Sequence, residues 1–91
     1  MKVYSVAIGN LPKTETEKEV QKLANILNEL DGFVAVHPHY PLGNLLLFES
    51  KNKAIIGRNE LEADGINTGR HICEFEWNKE KNELEFIGDV Q

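Results

Sequence analysis

Val3-Tyr4-Ser5-Val6-Ala7-Ile8, running into Gly9-Asn10-Leu11-Pro12, sets the reading of the first third of the chain. Side chains on a strand alternate between faces, so Tyr4, Val6 and Ile8 share one side and Val3, Ser5 and Ala7 the other. Gly-Asn-Leu-Pro ends the strand, because Gly and Pro punctuate regular structure. Helix-start chemistry follows. Thr14 with Glu17 and Thr16 with Glu19 each have the spacing of a capping box. Val20, Leu23, Ala24, Leu27 and Leu30 then fall on one helical stripe, and Asp31-Gly32 stops it.

Working outward, Phe33 to His37 reads as a second strand. Strict alternation puts Val34 and Val36 on one face and Phe33, Ala35 and His37 on the other. Pro38 has no ladder donor and predicts an edge position. Tyr40-Pro41-Leu42-Gly43 has turn composition. Asn44 to Glu49 is a third strand whose Leu45-Leu46-Leu47-Phe48 run is apolar on both faces, which predicts a central place in the sheet. A second helix spans Ser50 or Lys51 to Asp64, with Ala54, Ile55 and Leu61 toward the sheet. Gly57 within it costs ~1 kcal/mol relative to alanine and suggests close helix–sheet approach. Gly65 suits a left-handed C-cap, with Ile66 packing back on Leu61. His71–Trp77 and Glu83–Ile87 form a hairpin around the polar loop 78–82. Cys73, Phe75, Trp77, Leu84 and Phe86 share one face of it, and Glu74, Glu76, Glu83 and Glu85 the other.

The order β-α-β-β-α-β-β, with helices that must each bury a stripe, predicts an α+β fold. Right-handed crossovers favour a ferredoxin-like split βαβ sandwich: an antiparallel sheet, two helices on one face, and an added C-terminal strand. Residues 1–91 are expected to form a single domain of this kind. Val6-Ala7-Ile8-Gly9-Asn10-Leu11, with Pro12 and Thr16 behind it, resembles the first-strand signature of the RNA recognition motif. That resemblance implies the same topology and an RNA-binding sheet face. Ala7 stands where the family carries a stacking aromatic, and the third strand offers only Phe48. Such stacking contributes ~1–3 kcal/mol per base.

A net charge of −5 works against a long phosphate-binding surface. With 41% hydrophobic residues the chain has the composition of a globular protein. A chain this short buries roughly 60–68% of its unfolded surface, so it supports one core. Cys73 is the one cysteine and precludes a disulfide within the chain. No apolar run approaches the ~18 residues of a membrane span, and no secretory cleavage pattern is evident, so a cytoplasmic location is expected. Eight lysines against two arginines, with nine asparagines, suggest AT-rich coding of the kind found in low-GC bacteria or their phages.

His37 and His39 have the two-residue spacing of a metal-binding pair on a strand, but a zinc site needs a third ligand and Pro38 disturbs the strand. Cys73 has no cationic or histidine neighbour to activate it. The Gly9-Asn10-Leu11-Pro12 turn lacks phosphate-loop chemistry. No metal, cofactor or catalytic group is therefore expected. The expectation is a small non-catalytic interaction or regulatory module that self-associates as a homodimer or binds a protein partner. Its candidate interface is Phe33, Ala35, Leu46 and Phe48 on an apolar sheet face, with Glu74, Glu76, Glu83 and Glu85 on the hairpin. The alternative is a degenerate RNA-recognition-like domain using Tyr4 and Phe48. The apolar sheet face has three possible covers: the chain's own extra strand and C-terminal tail, a second copy, or another protein.

Overall fold

The structure is a computed structural model, and it describes residues 1–8, 25–38 and 44–91. The expected first-helix start, the Gly9–Pro12 turn, the Tyr40–Gly43 turn and His39 lie outside the described residues. The elements are β1 (Lys2–Ile8), a helical segment at 25–29 (α1), β2 (Phe33–Pro38), β3 (Asn44–Phe48), α2 (Lys51–Ala63), β4 (Thr68–Asn78) and β5 (Glu83–Asp89). This is an α+β arrangement with a five-stranded antiparallel sheet in the order β2-β3-β1-β4-β5.

The leucine run of β3 lies inside the sheet between β2 and β1, as its two apolar faces require. β2, with Pro38, lies at one edge. Side chains from both helical segments join one core. Leu27 and Leu30 near α1, and Ala54 and Leu61 of α2, pack with Val6, Ile8, Leu46, Phe48 and Ile72. Burying side chains of this size contributes ~1.5–3 kcal/mol each.

Local chemistry shapes α2. The Ser50 hydroxyl caps its start by accepting from the Lys53 backbone N–H at 3.2 Å. Its end is a Schellman motif. The Ile66 N–H donates to the Leu61 carbonyl and the Gly65 N–H to that of Glu62, both at 3.0 Å, while Gly65 takes φ +83°. Ala54, Gly57 and Leu61 form the buried stripe. A Cβ at Gly57 would stand 2.5 and 2.6 Å from two Phe48 ring carbons, so the helix rests directly on that ring.

Three register shifts break the simple alternation. In β2, Phe33 pairs with Phe48 and Ala35 with Leu47, so Val34 is an extra residue. The bulge overturns the expected sidedness of this strand. Phe33 joins the helix-side core, while Val34 and Ala35 both face the opposite side. A second bulge leaves Ile87 unpaired in β5, between Phe86 (opposite Phe75) and Gly88 (opposite Glu74). The third lies between Val6 and Ile8, where β1 meets β4. β4 also starts three residues earlier than the composition suggested, and β5 ends two residues later, at Asp89.

The second sheet face carries its own apolar cluster: Val3, Leu45, Leu47, Phe75 and Trp77, edged by Val34, Ala35, Ala7, Cys73 and Leu84. Its cover comes from the chain itself. His37 on β2 lies with its Nε2 3.2 Å from the carbonyl oxygen of Asn82, in the β4–β5 turn. In a flat sheet those segments would lie three to four strand spacings apart across the sheet, roughly 14–19 Å, and, because His37 is level with Ala7 while the turn lies beyond Met1, about eight residues, roughly 26 Å, apart along it. Twist and the bulges therefore curl the distal hairpin across the face until its tip meets the opposite edge. No helix among the described residues is long and apolar enough to cross a membrane.

Candidate functional site

The curled hairpin redistributes the residues the sequence singles out. Leu46 and Phe48 are fully buried beneath the helices. As partner-facing residues they are corrected: β3 turns Leu45 and Leu47 toward the second face, while Leu46 and Phe48 belong to the helix-side core. Phe33 packs edge-on to Phe48, ring centroids 5.9 Å apart, on that same helix side. Ala35 lies on the second face, partly buried in its cluster. The four apolar candidates thus lie on two faces, not one. Tyr4 and Phe48, the residues of the nucleic-acid alternative, also lie on the helix side. The face that would carry bases in an RNA-recognition arrangement is the one the hairpin covers.

The glutamates do come together. Glu76 pairs across the hairpin with Glu85, Glu74 stands opposite Gly88 and Glu83 opposite Asn78. Glu74 accepts the Tyr4 hydroxyl at 2.8 Å, and that hydrogen bond is the main cause of an upward shift in the tyrosine pKa. Glu76 Oε1 meets the Met1 amino group at 2.7 Å. Glu83 and Glu85 are exposed, and among the described residues neither has a cationic partner. An open cleft of about 600 Å³ runs along this end of the hairpin, lined by Glu76, Trp77, Lys79, Glu83, Leu84 and Glu85, among others.

β5 adds what sequence reasoning missed. It is the outermost strand, with β4 on one side. Phe86 is 60% exposed and Ile87 47%, side by side on that edge. Phe86 touches only the rim of the second-face core, edge-on to Phe75 at 5.6 Å between centroids. Placing Phe86 on the same hairpin face as Trp77 correctly anticipated its side, since Phe75 pairs with Phe86 and Trp77 with Leu84. Parity alone could not reveal that the sheet ends beyond it.

His37 and Cys73 each make a contact within the fold. The His37 ring is engaged with the hairpin tip. Among the described residues no cluster of three or more His, Cys, Asp or Glu side chains could hold a metal ion. The Cys73 thiol donates to Asp89 Oδ1 at 3.1 Å, and His71 Nδ1 lies 3.7 Å from the other carboxylate oxygen. The imidazole thus addresses the carboxylate, not the sulfur. Burial first, and then the hydrogen bond to Asp89, push the thiol from its ordinary 9.0 up to about 11. A thiol held protonated is a poor nucleophile. Iodoacetamide alkylation of Cys73 is expected to be slow at neutral pH and to rise with a midpoint near 11. A midpoint at or below 9.0 would contradict this environment. Because folding favours the protonated thiol, its contribution to stability is intact below 9.0 and is lost as pH climbs through about 11.

The chain matches no protein-family model, and no curated protein and no solved structure is significantly similar to it.

Proposed function

We propose that this chain is a small protein-interaction module of the ferredoxin-like class, and that its working surface is the outer side and free edge of the β4–β5 hairpin. The order β2-β3-β1-β4, with both helical segments on one side, supports the fold reading, β5 being the addition. One observation carries the functional reading. Phe86 and Ile87 are exposed together on a strand edge that no other described strand pairs, beside Glu83 and Glu85. Large apolar side chains at a sheet edge invite association, and natural proteins generally protect such edges.

Sheet-to-sheet self-association has weaker support. Val3 and Leu47 are fully buried within a single chain, so a second copy would have to displace the hairpin to reach them. An RNA-recognition mode faces the same obstacle.

The test is partner capture from the source cell by wild type and by a Phe86→Lys/Ile87→Lys variant. Both side chains are exposed, so the variant is expected to keep the wild-type circular dichroism. Retention of a specific protein by wild type and its loss from the variant is the expected result. The same proteins on both would remove this surface from consideration.

A further inference from the structure

We propose that the partner binds as an extended basic segment that adds a sixth strand to the sheet along β5. Its lysines or arginines would face Glu83 and Glu85, and its alternate apolar side chains would face Leu84 and Phe86. This rests on the hairpin being the interaction surface and specifies the chemistry of what docks there.

Three observations converge on this occupant. First, among the described residues β5 pairs on one side only, so every second residue along its outer side turns its backbone N–H and C=O away from the sheet. An added strand satisfies those groups and draws affinity from them. Second, Glu83-Leu84-Glu85-Phe86 alternates carboxylate and apolar side chains, each opposite an unshifted β4 partner. An incoming strand beside that stretch meets carboxylates on one face and hydrocarbon on the other. A matching strand must therefore alternate basic and apolar residues with the same period. Third, Glu83 and Glu85 have no cationic partner among the described residues, and they border the open cleft. The net charge of −5 would steer a basic segment toward the protein.

The same residues disfavour a second copy of this chain. Antiparallel self-pairing about Phe86 would set Glu83 against Asp89 of the other copy, and in-register parallel pairing would stack each glutamate on its equivalent. Like charges directly opposite destabilise a ladder. The bulge at Ile87 further limits the regular stretch to the residues before it. In these two registers the edge repels itself, whereas a strand of opposite charge meets no such repulsion.

The probes are three peptides, each as long as β5, added to the isotope-labelled full chain. One alternates lysine and valine, one alternates glutamate and valine, and one is the lysine–valine sequence N-methylated throughout. The last keeps its charge but has no ladder donors. The lysine–valine peptide is expected to bind, with amide shifts concentrated in Glu83–Asp89. Binding should weaken by at least about tenfold, or ~1.4 kcal/mol, for the N-methylated form. A Glu83→Lys/Glu85→Lys variant is expected to reverse the preference toward the glutamate–valine peptide.

Equal binding of the N-methylated peptide would mean adherence by charge alone and would overturn strand addition. So would shifts centred on β2, or a doubling of mass in light scattering with protection confined to β5. If no basic peptide binds, this inference fails, whereas the hairpin surface itself is judged by the capture experiment with the Phe86/Ile87 variant.

Discussion

Trp77→Ala is expected to destabilise the protein by about 3 kcal/mol, toward the low end of the 3–5 kcal/mol typical of buried tryptophan truncation. In a domain of this size that corresponds to a fall in melting temperature of roughly 12–24 °C. Trp77 is 7% exposed and packs over Val3, Leu45 and Leu47 from the distal part of β4. It is therefore a principal anchor of the curled hairpin. The low end applies because the indole Nε1–H is buried without an acceptor among the described residues. Leaving such a donor unpaired costs ~1–3 kcal/mol, which the truncation recovers. Trp77→Phe keeps the cover and removes the orphaned donor, so it should remain within ~1.5 kcal/mol of wild type. Urea unfolding followed by circular dichroism provides the measurement, since Trp77 is the only tryptophan and its own fluorescence is lost. With its anchor removed, the hairpin should also expose the second face to a hydrophobic dye. A loss below ~1 kcal/mol with no added dye binding would show that the hairpin does not seal that face.

Gly57→Ala is expected to destabilise by about 2 kcal/mol, although the same change in an exposed helix interior stabilises by ~1 kcal/mol. The reversal comes from the Phe48 ring carbons at 2.5 and 2.6 Å from the added Cβ position. Phe48 is fully buried and has the Phe33 ring against it, so it has no ready space to move into. Accommodating the methyl group requires α2 to lift from the sheet, and overpacking of this sort costs ~1–3 kcal/mol. Combining Gly57→Ala with Phe48→Leu tests the cause. Phe48→Leu alone leaves a void, while the double variant places the new methyl group in it. The two losses should then fall short of additivity by ~1 kcal/mol or more. Strict additivity, or a Gly57→Ala protein more stable than wild type, would show that helix and ring are not in the contact described.

The legible parts of the fold are those governed by short-range rules. The start of α2 at Ser50 or Lys51, the turn at Gly65-Ile66 and the hairpin loop follow from side-chain and backbone chemistry within a few residues, and the structure has them where expected. The two-sided run Leu45–Phe48 pointed to a central strand, and β3 is interior. Sidedness was legible wherever pairing is regular. Glu76 and Glu85 meet across the hairpin, and Tyr4, Val6 and Ile8 share the helix-side core. It failed at Phe33 and Ala35, because one extra residue inverts every later side chain and no residue type announced the bulge. The interface candidates Leu46 and Phe48 failed for a related reason. Both faces of β3 are apolar, so hydrophobicity could not distinguish the face under the helices from the face under the hairpin.

The α+β class, the hairpin, the alternation of glutamates with apolar residues along it, and the glycine where α2 rests on the sheet are all written in short stretches of residues. These are properties of local periodicity and backbone sterics, which act within a turn or a strand. The closure of the second sheet face by the chain itself, and the exposure of Phe86 and Ile87 along β5, emerge from the assembled fold. Those outcomes depend on accumulated strand twist, on three register shifts, and on whether a hairpin tip reaches a strand on the opposite edge. Such long-range sums have no signature in any one stretch of residues.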